Sequence, residues 1–191
     1  VGGGILLSGA SDELREFIDY MGLPLAHSLM GKGAISDEHP YLLGMTGFWG
    51  TKLTNDACLN ADYILAIGTR FKEADCSSWY PGYTFNIPGS KVIHIDIEPS
   101  EIGRNYPTDI GVIADAKSAL CVLLRVAKEL YPEGFDRPKL REKIAKFKNA
   151  FIEKNTKMAT SNLFPMMPER ILADTRNALP DDAIITTDVG W

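Results

Sequence analysis

The sequence predicts an α/β fold in which a doubly wound parallel sheet carries helices on both of its faces. Strand-like apolar runs alternate along the chain with segments of helical periodicity, which is typical of such sheets. The run at 61–68 is largely apolar, as in strands that are covered on both faces. With 191 residues, 45% hydrophobic and 24% charged, the chain is long enough for one domain and a piece of another.

The first part of the chain opens with three consecutive glycines and a helix. Ser11 is predicted to cap that helix, and Gly22 is predicted to end it. A short buried strand is expected at 23–26, and a long loop follows it. A second glycine cluster at 43–51 precedes a helix that extends to about residue 60.

The next seventy residues hold the remaining elements of the predicted first domain, which covers residues 1–131. Strands are predicted at 61–68, 91–97 and 110–114. Residues 72–90 are expected to be irregular because prolines and glycines mark turns there. Asp115 is placed to cap a helix that runs from 116 to about 130.

Residues 132–167 have the character of a connector. The helical stretch from Pro138 to Met158 is rich in lysine, and a nucleic-acid surface is one interpretation of that charge. A solvated connector helix is favoured, because its apolar positions form a single stripe. The stripe consists of Leu140, Ile144, Phe147 and Phe151.

The last segment, 168–191, predicts the start of a second α/β domain. A helix is expected to run from Met166–Glu169 to Leu179-Pro180, and a strand is expected at 183–188. Because the sequence ends directly after that strand, we expect this second domain to be truncated.

Composition and motif spacing argue against several classes of function. The net charge of −5 gives no electrostatic footprint for nucleic acid. The three cysteines form no CxxC pair, and the three histidines are not spaced as metal ligands. No apolar run reaches the ~18 residues of a membrane helix, and no signal peptide opens the chain, so a cytoplasmic location is expected. No catalytic residue and no metal site can be assembled.

The residues that follow the predicted strands indicate a nucleotide-binding crevice. Glycine turns let phosphates approach the backbone, and Arg70 follows a strand end as a donor for phosphate or carboxylate. Asp96 or Glu98 could accept a ribose hydroxyl, and Asp115 occupies a similar position. The GxGxxG spacing of the standard NAD fingerprint is absent.

Several short motifs follow one another over about 115 residues. In chain order they are Gly2-Gly3-Gly4, Met30-Gly31-Lys32-Gly33-Ala34 with His39-Pro40, Leu43-Gly44-Met45-Thr46-Gly47 with Gly50-Thr51, Ala61-Asp62 through Gly68-Thr69-Arg70-Phe71, His94 through Pro99 with Glu101-Ile102-Gly103-Arg104-Asn105, and Asp115. Their order and spacing resemble the central domain of the acetolactate synthase-like family of thiamine diphosphate-dependent enzymes. The tail from Pro168 to Trp191, including Asp188 and Gly190, is similar to the start of that family's C-terminal, diphosphate-binding domain.

This resemblance implies a Rossmann-like central domain within a larger enzyme. The full-length parent would bind thiamine diphosphate and Mg²⁺ through its other domains. It would act on 2-keto acids as a transferase or lyase, and it would assemble as a homodimer or homotetramer. The chain alone would be inactive. An apolar strand precedes the glycine turn in the family, so the sheet here would either lack a strand or take one from another chain.

The resemblance also implies residues for a site that would hold FAD or another adenine nucleotide. By carry-over they are Gly3, Gly4, Ser28, Leu29, Met30, Gly44, Met45, Gly68, Thr69, Arg70, Glu98 and Asp115. The chain departs from acetolactate synthases at Lys72–Asp75, where Asp-Asp-Arg is usual, and at Thr46, which replaces a His. Glyoxylate carboligase and other carboligases or decarboxylases therefore stay open as parents. The alternatives are a scaffold or oligomerisation domain that binds no nucleotide, and a free-standing nucleotide-binding protein unrelated to keto acids.

Overall fold

A computed structural model describes residues 1–186 of the chain, which forms two compact units. The first unit comprises Val1–Ile144, and the second begins at Ala145. The division falls inside one long helix, α6 (Pro138–Ala159).

The first unit holds all the strands of the described residues and most of the helices. Its strands are β1 (Leu25–His27), β2 (Leu42–Met45), β3 (Tyr63–Ile67), β4 (Lys91–Asp96) and β5 (Ile110–Ile113). Besides the start of α6, its helices are α1 (Gly4–Leu7), α2 (Ser11–Met21), α3 (Lys52–Leu59), α4 (Glu73–Cys76) and α5 (Ala116–Leu130). Short 3₁₀ turns occupy Leu29–Gly31 and Pro99–Glu101.

Every strand pairing is parallel, and helices lie on both sides of the strands, which confirms the predicted α/β class. The strands form two sheets, β1-β2 and β3-β4-β5, rather than one. Val1 and Gly2 lie between the two sheets. The Val1 nitrogen donates to the Ala26 carbonyl at 2.7 Å, and the Gly2 N–H donates to the Ile67 carbonyl at 3.1 Å. The first two residues therefore contact one strand of each sheet.

Several local expectations hold, and others need correction. Gly22 ends α2 in the left-handed conformation, and Asp115 caps α5. Ser11 does not cap α2, because the Ala10 carbonyl already accepts the Leu14 N–H at 2.9 Å and the helix therefore begins one residue earlier. Strand β2 overlaps the glycine cluster at 43–51 and was not predicted, because glycine interrupts its apolar pattern.

Two apolar clusters form the core of the first unit. The larger cluster packs α1, α2 and α5 around fully buried side chains such as Ile5, Leu14 and Leu120. The smaller cluster centres on Phe71, whose ring meets those of Phe85 and Tyr106 edge-to-face at 5.5 and 5.3 Å. Through Phe71, this aromatic cluster holds the turn that follows β3 against the core.

The start of α6 belongs to the first unit and is held there by specific contacts. Ile144 is fully buried, and Arg141 donates to the Tyr41 hydroxyl at 2.9 Å. Farther along the predicted apolar stripe, Phe147 and Phe151 are about half exposed.

The second unit contains the rest of α6 and helix α7 (Pro168–Ala178). Within it, Arg170 pairs with Asp174 at 2.6 Å and donates to the Asn162 side chain at 3.0 Å. The strand predicted at 183–188 is not formed over 183–186. No strand of the described residues pairs with this segment through backbone hydrogen bonds. Its last two residues, and the predicted positions Asp188 and Gly190, lie outside the described residues.

Candidate functional site

A crevice of about 350 Å³ lies where four of the five strands end. It is lined by residues that directly follow β1, β3, β4 and β5, together with the first turn of the chain. Ligands of open α/β sheets bind in crevices at the carboxyl ends of strands. The volume falls at the lower end of the roughly 300–1,000 Å³ of small-molecule sites.

The floor of the crevice depends on glycines that pack backbone against backbone. The Gly4 N–H donates to the Gly68 carbonyl at 3.0 Å, and Gly68 adopts a left-handed φ of +58°. A Cβ added at Gly4 would lie 2.7 Å from the Gly68 Cα, and one added at Gly2 would overlap the Gly68 carbonyl oxygen. Side chains are therefore excluded here, and a ligand can approach the main chain closely.

The turn after β3 is held by side chains from other segments of the chain. The His94 Nε2 lies 2.8 Å from the Thr69 carbonyl, which it reaches as a donor from inside β4. The Trp79 indole N–H donates to the Phe71 carbonyl at 2.8 Å. Phe71 itself has a φ of +47°, a conformation that non-glycine residues seldom adopt. These contacts place Arg70 at the rim of the crevice.

The crevice contains charges of both signs. Arg70 is 58% exposed, and Lys72 lies beside it on the same wall. Asp96 ends β4 and is buried, whereas Asp115 uses its Oδ1 to accept the Ser118 N–H at 2.9 Å as the cap of α5. The cations suit a diphosphate, and the carboxylates suit hydroxyl donors such as those of a ribose.

The structure brings eight of the twelve predicted site residues together in this crevice. They are Gly3, Gly4, Ser28, Met30, Gly68, Thr69, Arg70 and Asp115.

The other four predicted residues lie away from the crevice wall. Leu29 is exposed and donates its N–H to Asp75 Oδ1 at 3.0 Å, and Gly44 and Met45 belong to β2. Glu98 is exposed and accepts from the Ser100 hydroxyl at 2.8 Å. Those Ser100 contacts, assisted by the charge of Arg70, hold the pKa of the Glu98 carboxyl below its usual value.

Several crevice residues were not among the twelve predicted ones. They are Leu7, Ser8, Lys72, Asp75, Ile95, Asp96 and Ile97, together with Gly2, Ala114 and Ala116, which the resemblance implies as neighbouring contacts. Asp96 was recognised as an alternative to Glu98, and its position near the end of a predicted strand was the signal. Asp75 and Lys72 had no such signal, since they lie in the segment expected to be irregular.

These residues fit the diphosphate and ribose of a dinucleotide such as FAD. The glycine floor admits phosphates to the backbone, Arg70 offers free guanidinium donors, and Asp96 offers an acceptor. Residues 1–186 contain no group of three or more His, Cys, Asp or Glu side chains that could hold a metal ion. Within the same range, no helix has the length and apolar character needed to cross a membrane.

Comparisons with known proteins agree with this architecture. The family model described as thiamine pyrophosphate enzyme, central domain, matches residues 1–123. A probable acetolactate synthase large subunit of Methanocaldococcus jannaschii is 37% identical over 195 residues, which cover 99% of this chain and 31% of that protein. Glyoxylate carboligase of Escherichia coli O157:H7 is 32% identical over 192 residues, covering 99% and 31%. The chain thus spans about a third of the length of these curated relatives.

Proposed function

The chain belongs to the thiamine pyrophosphate enzymes, of which it carries the central domain, and we propose that this domain binds FAD within an acetolactate synthase-like carboligase or decarboxylase of 2-keto acids. The observation that carries the proposal is the glycine-floored crevice at the strand ends, with Arg70 at its rim. Residues 1–131 would form the nucleotide-binding domain, 132–167 the connector, and 168–191 the start of the diphosphate-binding domain.

Each wall of the crevice has a part in this proposal. The Arg70 guanidinium donates to the diphosphate, and the backbone near Gly4 and Gly68 lets the phosphates approach. Asp96 and Asp115 accept from ribose hydroxyls. Thiamine diphosphate, held with Mg²⁺ by other domains of the parent, supplies the carbanion stabilisation that keto-acid chemistry needs. Without those domains the chain is expected to be inactive.

A titration of the 191-residue chain with FAD, followed by flavin fluorescence, tests the proposal. Arg70→Ala removes one charge-assisted contact, worth about 1.5–3 kcal/mol, and should weaken binding roughly ten- to a hundredfold. Arg125→Ala is the matched control, because Arg125 is an exposed arginine of α5 that does not line the crevice. Saturable binding that only the first variant weakens would support the proposal. Unchanged affinity in Arg70→Ala would remove Arg70 from the site.

A scaffold domain that binds no nucleotide is the second candidate, and the charge of the crevice favours it. Three carboxylates, Asp75, Asp96 and Asp115, line the crevice against two cations, Arg70 and Lys72. That balance opposes a diphosphate. Absence of FAD binding in a chain that circular dichroism shows to be folded would support the scaffold role. Sedimentation analysis of the parent would then test the dimer or tetramer that a scaffold implies.

A further inference from the structure

A carboxylate outside the crevice contacts the arginine at its rim. Glu101 ends the 3₁₀ turn after β4 and is only 6% exposed. Its Oε1 lies 2.9 Å from Arg104 Nη1 and 3.6 Å from Arg70 Nε. Its Oε2 is buried and has no hydrogen-bond partner among the described residues. Burying a carboxylate with one oxygen left without a hydrogen bond lowers the stability of the fold, so its presence here calls for an explanation.

The same segment also holds the backbone of the arginine. The Asn105 Nδ2 donates to the Arg70 carbonyl at 2.9 Å and to the Phe71 carbonyl at 3.2 Å. This contact stabilises the left-handed Phe71, whose conformation is otherwise unfavourable for a non-glycine residue. Glu101 and Asn105, four residues apart, therefore contact the side chain and the main chain of one arginine.

The orientation of the ion pair matters for a ligand. Glu101 approaches Arg70 at Nε, and the two terminal nitrogens of Arg70 make no hydrogen bond with the described residues. An arginine loses rotamer entropy when a ligand immobilises it. A carboxylate that orients the guanidinium in advance reduces that loss, which is the usual benefit of preorganisation.

We propose that Glu101 is a positioning residue that holds the Arg70 guanidinium at the crevice rim, ready to donate to a diphosphate ligand. The ligand part of this inference rests on the proposed function. The positioning part rests only on the contacts of Glu101 and Asn105, and it can be measured without any ligand.

The ligand-free test observes the Arg70 Nε–Hε group by ¹⁵N NMR, assigned through Arg70→Ala. The signal should be ordered in the wild-type chain, where the ion pair restricts the guanidinium, and it should become mobile in Glu101→Gln. Glu101→Asp should restore part of the order, since it keeps the charge at a shorter reach. Equal mobility of this group in the wild type and in Glu101→Gln would overturn the inference.

The ligand test is a double-mutant cycle with FAD as the probe. Glu101→Gln should weaken FAD binding about fivefold, the upper limit for an ion pair with an exposed arginine, and should have no further effect in the Arg70→Ala background. Arg104→Ala removes the other partner of Glu101 without touching the crevice, and it should leave the affinity within twofold. An equal effect of Glu101→Gln in both backgrounds would show a merely structural role.

The two proposals fail in different ways. If Arg70→Ala weakens FAD binding and Glu101→Gln does not, the positioning role is overturned and the proposed function stands. If the wild-type chain binds no FAD but Arg70 is ordered by Glu101, the flavin function fails and the positioning role stands.

Discussion

Replacing Gly4 with alanine should separate the first turn of the chain from the turn after β3. The new Cβ would lie 2.7 Å from the Gly68 Cα, about 0.7 Å inside the 3.4 Å at which ordinary contact begins. The new Cβ is bonded directly to the main chain and the Gly68 Cα is part of it, so neither atom can move away by a side-chain rotation. Overpacking costs about 1–3 kcal/mol, and loss of the Gly4–Gly68 hydrogen bond adds about 1 kcal/mol. Alanine recovers up to about 1 kcal/mol through helix propensity. We therefore expect a net destabilisation of about 1–3 kcal/mol.

The neighbouring glycine provides a matched control for this substitution. Gly3 has ordinary helical dihedral angles, and an added Cβ would lie 3.2 Å from the Met30 side chain and carbonyl. Gly3→Ala should therefore change the free energy of unfolding by less than about 1 kcal/mol. Urea unfolding of both variants, followed by tryptophan fluorescence and circular dichroism, measures the difference. Equal stabilities of the two variants would refute the role assigned to the Gly4–Gly68 contact.

Two further predictions concern groups outside the crevice. The Asp109 carboxylate accepts the Val92 N–H and the Lys91 ammonium, both at 2.9 Å, and these contacts lower its pKa from the ordinary 3.8. A carboxylate whose pKa is lowered in the folded state stabilises the fold above its unfolded pKa of 3.8, and this contribution is lost as the pH falls through the folded pKa. Asp109→Asn should therefore be less stable than wild type at pH 7, and the stabilities of the two proteins should converge below about pH 4. A difference in stability that stays constant with pH would contradict this prediction. Burial raises the pKa of Cys58 to about 11 and that of Cys76 to about 12, whereas Cys121 is exposed. At pH 8 a disulfide reagent should therefore react rapidly with one thiol, and Cys121→Ser should abolish this fast reaction. Two fast thiols in the native chain would contradict it.

The elements that sequence reasoning predicted best have local causes. Asp115 caps α5 and Gly22 ends α2, because capping involves residues within one turn of the helix end. Strand β2 was missed because its glycine hides the apolar pattern, and only pairing with β1 gives it a ladder. Ser11 was misassigned because α2 begins on the carbonyl of Ala10, whose own N–H is held by the Ile5 carbonyl of α1 at 2.9 Å.

The candidate site shows the same division between local and distant causes. Arg70, Thr69 and Gly68 follow a strand end, and position along the chain was enough to predict them. Glu98 and Asp96 are two residues apart, and sequence could not choose between them. The structure turns Glu98 outward to cap the Pro99–Glu101 turn and leaves Asp96 at the crevice wall.

The sequence alone was enough to predict the parallel α/β class and the strand ends that line the crevice, because periodicity and turn residues act over short distances. The close approach of Gly4 to Gly68 and the burial of Glu101 beside Arg70 are seen only in the folded chain. These features join residues about 30 to 65 positions apart in the sequence. Such pairs are brought together by burial of a shared core, and no local pattern in the sequence records which distant backbone or charge each residue will meet.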